Sequence, residues 1–359
     1  MNRHKTFAYI VTIMLLTSLS LLAGDKMLPI EVLPFEKEKH FTNIKMLTHG
    51  GENAEAYFNR DASWICWQGK WTGDVLADQI WTMPIEGGVP QMLSTGNGKT
   101  TCSWFVPGKF QIVYCSTHDF SLAPPEPPDR NLGYVWGLDE YDVYIVNRDG
   151  SNLTRLTENP GYDAEAAVSP DGMTVVFTSV RNGDLDIYTM DINGNNVNQL
   201  TNTLGYDGGP FFSPDGQWIV FRSHLPETPE ETEKYQELLN KRMVSPVRFE
   251  IQIMRPNGTE RRQITNLGVA SFAPYMHPDG KRIIFCSNYN WGNKPDQGMP
   301  VFNLFMIDVD GENLEQITFN DTFDGFPMFS NDGAKIIWAS NRYSPEPRST
   351  NIFIADWTE

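Results

Sequence analysis

The chain has 359 residues, of which 40% are hydrophobic and 12% aromatic, which is enough apolar side chain for a large buried core. This composition excludes a disordered chain, and the formal net charge of −17 argues against nucleic acid and anionic membrane surfaces as partners, because both bind basic patches. Cationic partners and metal ions are compatible with the acidic balance.

Residues 1–24 have the arrangement of a secretory signal peptide. Basic residues precede an apolar run over 7–22, and the small residues Ala23 and Gly24 follow it. An uncleaved N-terminal anchor is the alternative, because Leu21 or Leu22 fits poorly before a cleavage site. We therefore expect a periplasmic or otherwise extracytoplasmic protein, secreted or N-terminally anchored, with no other membrane span. Residues 25–42 are predicted to be a linker.

A repeated unit of about 44 residues then begins. Residues 160–203 predict four short strands, with "SPDG" in the first turn and "NG" in the last. Ser, Pro and Gly at these positions favour a type I turn, and Asn-Gly is a typical hairpin turn. The unit therefore predicts a four-stranded antiparallel sheet.

The second and third strands of this unit each occur six times, the second as "WICWQ", "IVYCS", "VVFTS", "IVFRS", "IIFCS" and "IIWAS". The fourth strand also occurs six times, but its first copy, "NIKMLT" at 43–48, precedes the first complete unit, and the last unit lacks one. A closed ring explains why the extra strand at the start of the chain matches the strand that is missing from the last unit. We predict an all-β fold, a six-bladed β-propeller over 43–359, closed by the N-terminal strand.

Repeats of the form "SPDG…IVF.S…IYTMD.NG.N..QLT" resemble those of the TolB-type β-propellers, a family related in architecture to the WD repeats. The resemblance covers the propeller part alone, without the α/β domain that precedes it in TolB itself, because only 25–42 separate the apolar segment from the first strand. It implies a non-catalytic protein of the cell envelope, whose partners are envelope proteins or lipoproteins.

Insertions mark one face of the predicted disc. The "SPDG" and "NG" turns share the plain face, whereas the long loops at 117–141 and 224–248 lie on the opposite face. Long loops on a rigid scaffold are frequent binding sites, so this insertion-bearing face is the predicted binding surface. Within the second loop, Thr228, Pro229 and Glu231 predict a helix start. Its apolar face either packs on the disc or forms a lid or docking element.

The candidate binding residues lie at the same face. They are three aspartates before the innermost strands, three residues at the ends of second strands, and two aromatic residues of the first insertion: Asp163, Asp207, Asp324, Arg181, His224, Arg342, Tyr134 and Trp136. The aspartates could surround the channel mouth and hold a cation; otherwise each accepts hydrogen bonds from backbone amides at a blade-to-blade link. The second Asp of each repeat, such as Asp215, is expected to be structural. The two aromatic side chains either anchor a partner or fasten the loop.

An enzyme is the competing prediction. Some propellers related to this family are metal-dependent polysaccharide lyases, but only His118 and His224 fall on the insertion-bearing face, and no nucleophile with an adjacent base is visible. No cofactor is predicted. Cys102 and Cys115 fall on adjacent strands and could pair; buried free thiols are the alternative.

Overall fold

The computed structural model describes residues 26–359, apart from 72, 74, 247, 292–300, 345, 347 and 348. The predicted signal segment and most of one loop of the fifth blade lie outside this part. No helix within the described part is both long and apolar enough to cross a membrane.

Two strands precede the first complete blade, β1 (Ile30–Glu31) and β2 (Phe41–Met46). Blade 1 comprises β3 (Glu52–Phe58), β4 (Trp64–Lys70), β5 (Gln79–Pro84) and β6 (Gln91–Met92). Blade 2 comprises β7 (Thr100–Phe105), β8 (Gln111–Ser116), β10 (Asp142–Asn147) and β11 (Thr154–Arg155), and its insertion holds a 3₁₀ turn (Arg130–Leu132) and β9 (Trp136–Gly137). Blade 3 comprises β12 (Asp163–Val168), β13 (Thr174–Ser179), β14 (Asp186–Asp191) and β15 (Asn198–Gln199).

The second half of the ring repeats this plan. Blade 4 comprises β16 (Tyr206–Phe212), β17 (Ile219–His224), β19 (Glu250–Met254) and β20 (Arg262–Gln263), and its insertion holds helix α1 (Pro229–Asn240) and β18 (Met243–Val244). Blade 5 comprises β21 (Ser271–Met276), β22 (Arg282–Ser287), β23 (Asn303–Asp308) and β24 (Glu315–Gln316). Blade 6 contains β25 (Asp324–Phe329), β26 (Lys335–Ser340) and β27 (Asn351–Trp357).

The N-terminal strand β2 closes the ring. It pairs antiparallel with β27, Phe41 opposite Trp357 and Met46 opposite Phe353, and so supplies the fourth strand of blade 6. The predicted six-bladed all-β propeller and its closure are confirmed. β1 adds a fifth strand at the outer edge of the same sheet.

A hydroxyl latch recurs in all six blades. The Ser or Thr after the fourth strand donates a hydrogen bond to the first side chain of the third strand and accepts one from the next backbone N–H. In blade 3, Thr201 donates to Asp186 over 2.8 Å and accepts from the Ile187 amide over 2.9 Å. In blade 6, Thr48 makes the same contacts with Asn351 and Ile352 across the ring closure. The latch explains why each unit ends in an aliphatic residue followed by Ser or Thr.

Each innermost strand is interrupted by a β-bulge beside the channel. The bulge residue has a positive φ between 46° and 58° in every blade: Glu55, Cys102, Glu165, Gly209, Ala273 and Phe326. L-residues rarely adopt this conformation, so its sixfold repetition shows that the ring geometry requires it.

Aromatic side chains two residues after the bulges close the channel. Tyr57 of blade 1 contacts Phe211 of the opposite blade 4, with ring centroids 5.6 Å apart. Trp104 of blade 2 likewise meets Tyr275 of the opposite blade 5 at 6.3 Å. We call these four residues the aromatic plug; rings that touch across the axis leave no open pore at this level.

Candidate functional site

The three candidate aspartates are fully buried and paired with arginine. Asp163 receives a hydrogen bond from Arg181 over 2.8 Å, and Asp207 binds Arg261 through two bonds of 2.7 Å. Burial raises the pKa of Asp163 and Asp207, and the facing guanidinium groups oppose this shift. The sequence suggested two roles for these aspartates, a ring of carboxylates around the channel mouth or acceptors for backbone amides. The ion pairs with arginine correspond to neither role.

Arg342 holds the N-terminal segment against blade 6. Its guanidinium lies 2.8 Å from both Asp324 and Glu38, and all three side chains are buried. Burial opposes the charge on Arg342, but the two carboxylates raise its pKa above the ordinary value. Met27 also exchanges two backbone hydrogen bonds with Gly88. The stretch predicted as a linker is therefore packed against the propeller from Met27 onward.

The second Asp of each repeat has the expected role in its turn. Asp215 accepts hydrogen bonds from the Ser213 hydroxyl and the Gln217 amide on the plain face, and Asp171 and Asp332 make the same contacts. These bonds lower the pKa of Asp171 and Asp332.

The two insertions join above the channel. Strand β9 of blade 2 pairs antiparallel with β18 of blade 4, and we call this two-stranded ribbon the strap. The Leu138 amide extends it by donating to the carbonyl of Arg242, whose side chain pairs with Glu140 at 2.8 Å. The strap connects blades 2 and 4, which are not neighbours.

Trp136 anchors the strap at the channel mouth. Its ring lies 5.5 Å from Phe272 on the innermost strand of blade 5, although the loop itself comes from blade 2. It also packs on Phe249 and over the guanidinium of Arg222. Tyr134, by contrast, is 55% exposed. The two aromatic candidates therefore differ in burial: Trp136 packs against the propeller, whereas Tyr134 is exposed and its hydroxyl accepts a hydrogen bond from Trp136 Nε1 over 3.3 Å.

Helix α1 packs on the disc. The Thr228 side chain accepts a hydrogen bond from the Glu231 amide, as predicted, and the Glu231 carboxylate accepts one from the Glu227 amide. Tyr235 is buried and donates to Asp184 of blade 3. His224 lies at the base of this insertion, half-buried, and burial lowers its pKa. Of the two roles predicted for this helix, packing on the disc and forming a lid or docking element, the structure shows the first.

A second polar group, missed in the sequence, lies beside the channel. Glu165 at the blade 3 bulge pairs with Arg222 of blade 4 and accepts hydrogen bonds from the Tyr206 hydroxyl at 3.0 Å and the Gly209 amide at 2.8 Å. A Cβ on Gly209 would collide with the Arg222 guanidinium, so glycine at this bulge makes room for the arginine. Its sequence signal is an acidic residue within a buried inner strand, as in "AEAAV".

Glu55 stands at the corresponding bulge of blade 1. One of its carboxylate oxygens, Oε2, is buried without a hydrogen-bond partner. Burial raises the pKa of Glu55 to about 7, and the negative charge of Glu165 acts in the same direction. Such a carboxyl changes protonation near neutral pH.

All four cysteines are free thiols. Cys115 pairs with Thr101 in the ladder, whereas Cys102 is the bulge residue and is turned toward the channel. Burial raises the pKa of both thiols. Of the two alternatives, the described geometry shows unpaired thiols.

His118 does not join His224. It contacts Ser116 of its own blade at 2.8 Å, and burial lowers its pKa. Across the described residues, no group of three or more His, Cys, Asp or Glu side chains is arranged to hold a metal ion.

Comparison with known proteins identifies the repeats. A family model described as the TolB beta propeller domain matches residues 135–224, from the strap through blade 3 into blade 4. The resemblance to TolB-type propellers is confirmed. The Tol-Pal system protein TolB of Bordetella pertussis is 48% identical over 42 residues, which are 11% of this chain and 10% of that protein. The same values hold for Bordetella parapertussis, so the match spans a tenth of these relatives.

Solved structures share the fold over most of the chain. A TolB structure from Agrobacterium tumefaciens has a TM-score of 0.57 at 19% identity, covering 86% of this chain and 91% of that one. TolB from Acinetobacter baumannii gives 0.54 at 16% identity, covering 86% of this chain and 65% of that one. An oligogalacturonate lyase in complex with manganese gives 0.56 at 14% identity, covering 94% and 99%. At these identities the likeness is one of fold, and a fold does not carry an activity with it.

Proposed function

We propose that this chain is a non-catalytic propeller of the cell envelope that binds a protein partner on its insertion-bearing face. The TolB-type repeats, the relatives named as Tol-Pal system proteins and the signal-like residues 1–24 support an extracytoplasmic location. By the same likeness, the partner is an envelope protein or lipoprotein.

The observation that carries the proposal is the strap. Two long loops from separate blades form one fixed platform, and the blade 2 part of it exposes apolar side chains, with Leu122 at 69%, Leu132 at 42% and Tyr134 at 55%. Exposed apolar side chains on a structured surface are typical of protein contacts.

In this proposal some candidate residues contact the partner and others hold the binding surface in place. Tyr134 contacts the partner, and Trp136 holds the strap in place. The pairs Asp163–Arg181 and Asp324–Arg342 fix the loops at the same face from below. A rigid, pre-formed platform lowers the entropy cost of binding.

The test is site-specific photocrosslinking. A benzophenone amino acid replaces Tyr134 or, as the matched control, Phe110, which is equally exposed at 57% in a turn of the plain face. In envelope extracts of the source cell we expect a discrete protein adduct from position 134 only, and Tyr134→Ala combined with Leu132→Ala should weaken capture at least tenfold. Equal adducts from both positions, or none from position 134, would contradict the assigned face.

A further inference from the structure

A cavity of about 360 Å³ lies where the two insertions meet. It is lined by residues of the blade 2 insertion over 117–128, by 137–140 at the end of β9, and by 241–243 at the start of β18. We call this space the strap cavity. Its volume falls within the range of pockets that hold ligands.

The accessible wall of the strap cavity is mainly apolar. Phe120, Pro125, Pro128 and Leu138 contribute to it, and the Phe120 ring remains 40% exposed. Rings and aliphatic groups of this kind pack against the methylene stem of a long side chain whose charged end seeks a polar partner. The wall therefore suits a lysine or arginine side chain better than a hydrated ion.

Asp139 supplies a negative charge in this wall. Burial raises the pKa of its carboxyl, and the positive charge of Lys99 opposes this shift. Among the described side chains, none donates a hydrogen bond to the carboxylate. The Asp139 carboxylate therefore keeps its capacity to accept hydrogen bonds from a group that enters the cavity.

The two basic residues of the wall are engaged by other carboxylates. Arg242 pairs with Glu140 at 2.8 Å, and Lys241 pairs with Glu237 at 2.7 Å. The formal net charge of the whole chain is −17, so approach of a cationic group is favoured at long range as well. The charge of the strap cavity thus complements a cation.

We infer that the strap cavity receives a lysine or arginine side chain of the protein partner. The apolar wall packs on the stem of that side chain, and the Asp139 carboxylate binds its charged end. The inference rests on the proposed function and specifies the chemistry of the partner: the segment that contacts the strap carries a basic residue.

The test uses short peptides in place of the partner. The probes are acetyl-Ala-Ala-Lys-Ala-Ala amide and the same peptide with arginine, norleucine or glutamate in place of lysine. Binding to the folded chain is followed by NMR at the amides of Gly137 and Asp139, which line the cavity. Asp139→Asn removes the charge and keeps the shape of the side chain. Glu158→Gln is the matched control, because Glu158 is an exposed carboxylate of the link between blades 2 and 3 and lies outside the cavity wall.

We expect saturable shifts at both amides with a basic peptide, and at least tenfold weaker binding of the norleucine and glutamate peptides. Asp139→Asn should weaken binding of the basic peptide at least tenfold, and Glu158→Gln by less than twofold. Unchanged amide signals of Leu138 and Val244 show that the strap is intact in the Asp139 variant. The inference is overturned if neither basic peptide gives a saturable shift, if the norleucine peptide binds equally well, or if Asp139→Asn binds like wild type.

Failure of this inference can be distinguished from failure of the proposed function. If the basic peptides do not bind but the adduct from position 134 still forms, only the basic contact is wrong. If the peptides bind but no adduct forms from position 134, the cavity accepts a cationic group and the proposed contact of a protein partner with Tyr134 is wrong.

Discussion

Asp186 shows how a buried carboxyl is tolerated at the start of a third strand. It is fully buried, and its side-chain partners are the neutral groups of Asn182, Gln199 and Thr201 at 2.8–3.1 Å. Burial raises its pKa to about 6, and the hydrogen bonds only partly oppose this shift. Blades 5 and 6 place asparagine at the same position, Asn303 and Asn351, where no charge has to be buried.

We therefore expect Asp186→Asn to stabilise the protein at neutral pH and to remove a pH dependence. The folded-state pKa lies above the unfolded value of 3.8, so the stability contributed by this carboxyl is complete below about pH 4 and is lost as the pH rises through about 6. The gain of the variant over wild type should grow across this window by up to about 3 kcal/mol and then level off. Urea unfolding at several pH values measures it. Asp321→Asn, an exposed site, controls for net charge, and a gain that is constant from pH 4 to 7 would refute the explanation.

At the scale of the element, the stability of the strap depends more on the Trp136 side chain than on the hydrogen bonds between its two strands. The β9–β18 ribbon contains only two residue pairs, and isolated short ribbons are not stable in water. The contacts of Trp136 with Phe249 and Phe272 supply the apolar burial that the ribbon lacks. The strap is therefore expected to be a local unit of stability, separate from the blades.

Trp136→Ala should loosen the strap without unfolding the ring. Hydrogen exchange should become at least tenfold faster at the amides of Leu138 and Val244, because the anchor of the ribbon is lost. The amide of Val176, in the middle of blade 3, should keep its protection. Leu132→Ala, which removes an exposed apolar side chain of the same insertion, is the matched control. Exchange at Leu138 that is unchanged in Trp136→Ala, or equally fast in both variants, would show that the tryptophan is not the anchor.

For the whole molecule, closure by β2 makes the ends of the chain part of one sheet. The Thr48–Asn351 latch and the Glu38–Arg342 pair both join residues near the two ends. An open ring would leave β27 as an unpaired edge, which proteins avoid. Closure should therefore couple the first and last blades in unfolding.

Ile44→Ala is expected to lower the stability of the entire propeller by about 2–5 kcal/mol, because it removes a side chain that is only 1% exposed at the closing strand. Thr42→Ala, an exposed position on the same strand, should change it by less than about 0.5 kcal/mol. Chemical denaturation followed by tryptophan fluorescence and by circular dichroism should give one coincident, shifted transition. A separate early transition confined to the first and last blades would argue against coupling.

The sequence predicted the features that depend on neighbouring residues. The "SPDG" turn with its Asp215 bonds, the helix cap at Thr228 and the four-stranded unit all follow from local turn and cap chemistry. Closure followed from counting strands. The position of the insertions on one face followed from the alternation of turns and loops in an up-and-down sheet.

Side-chain partners that are far apart in the sequence could not be predicted in this way. Arg261 lies 54 residues from Asp207, and Arg222 lies 57 residues from Glu165 in a different blade, so no local pattern connects them. The sequence located the three aspartates and named Arg181 and Arg342, which pair with Asp163 and Asp324, but it did not find Arg261, which pairs with Asp207.

The sequence by itself determined the blade, its sixfold repetition and its closure, because turn chemistry and alternating burial act over a few residues and repeat with the unit. Only the tertiary structure decided that the channel is plugged by rings from opposite blades and that the two insertions meet in one strap anchored by Trp136. Those contacts exist because a closed ring brings residues more than 150 positions apart to a common axis, as with Tyr57 and Phe211.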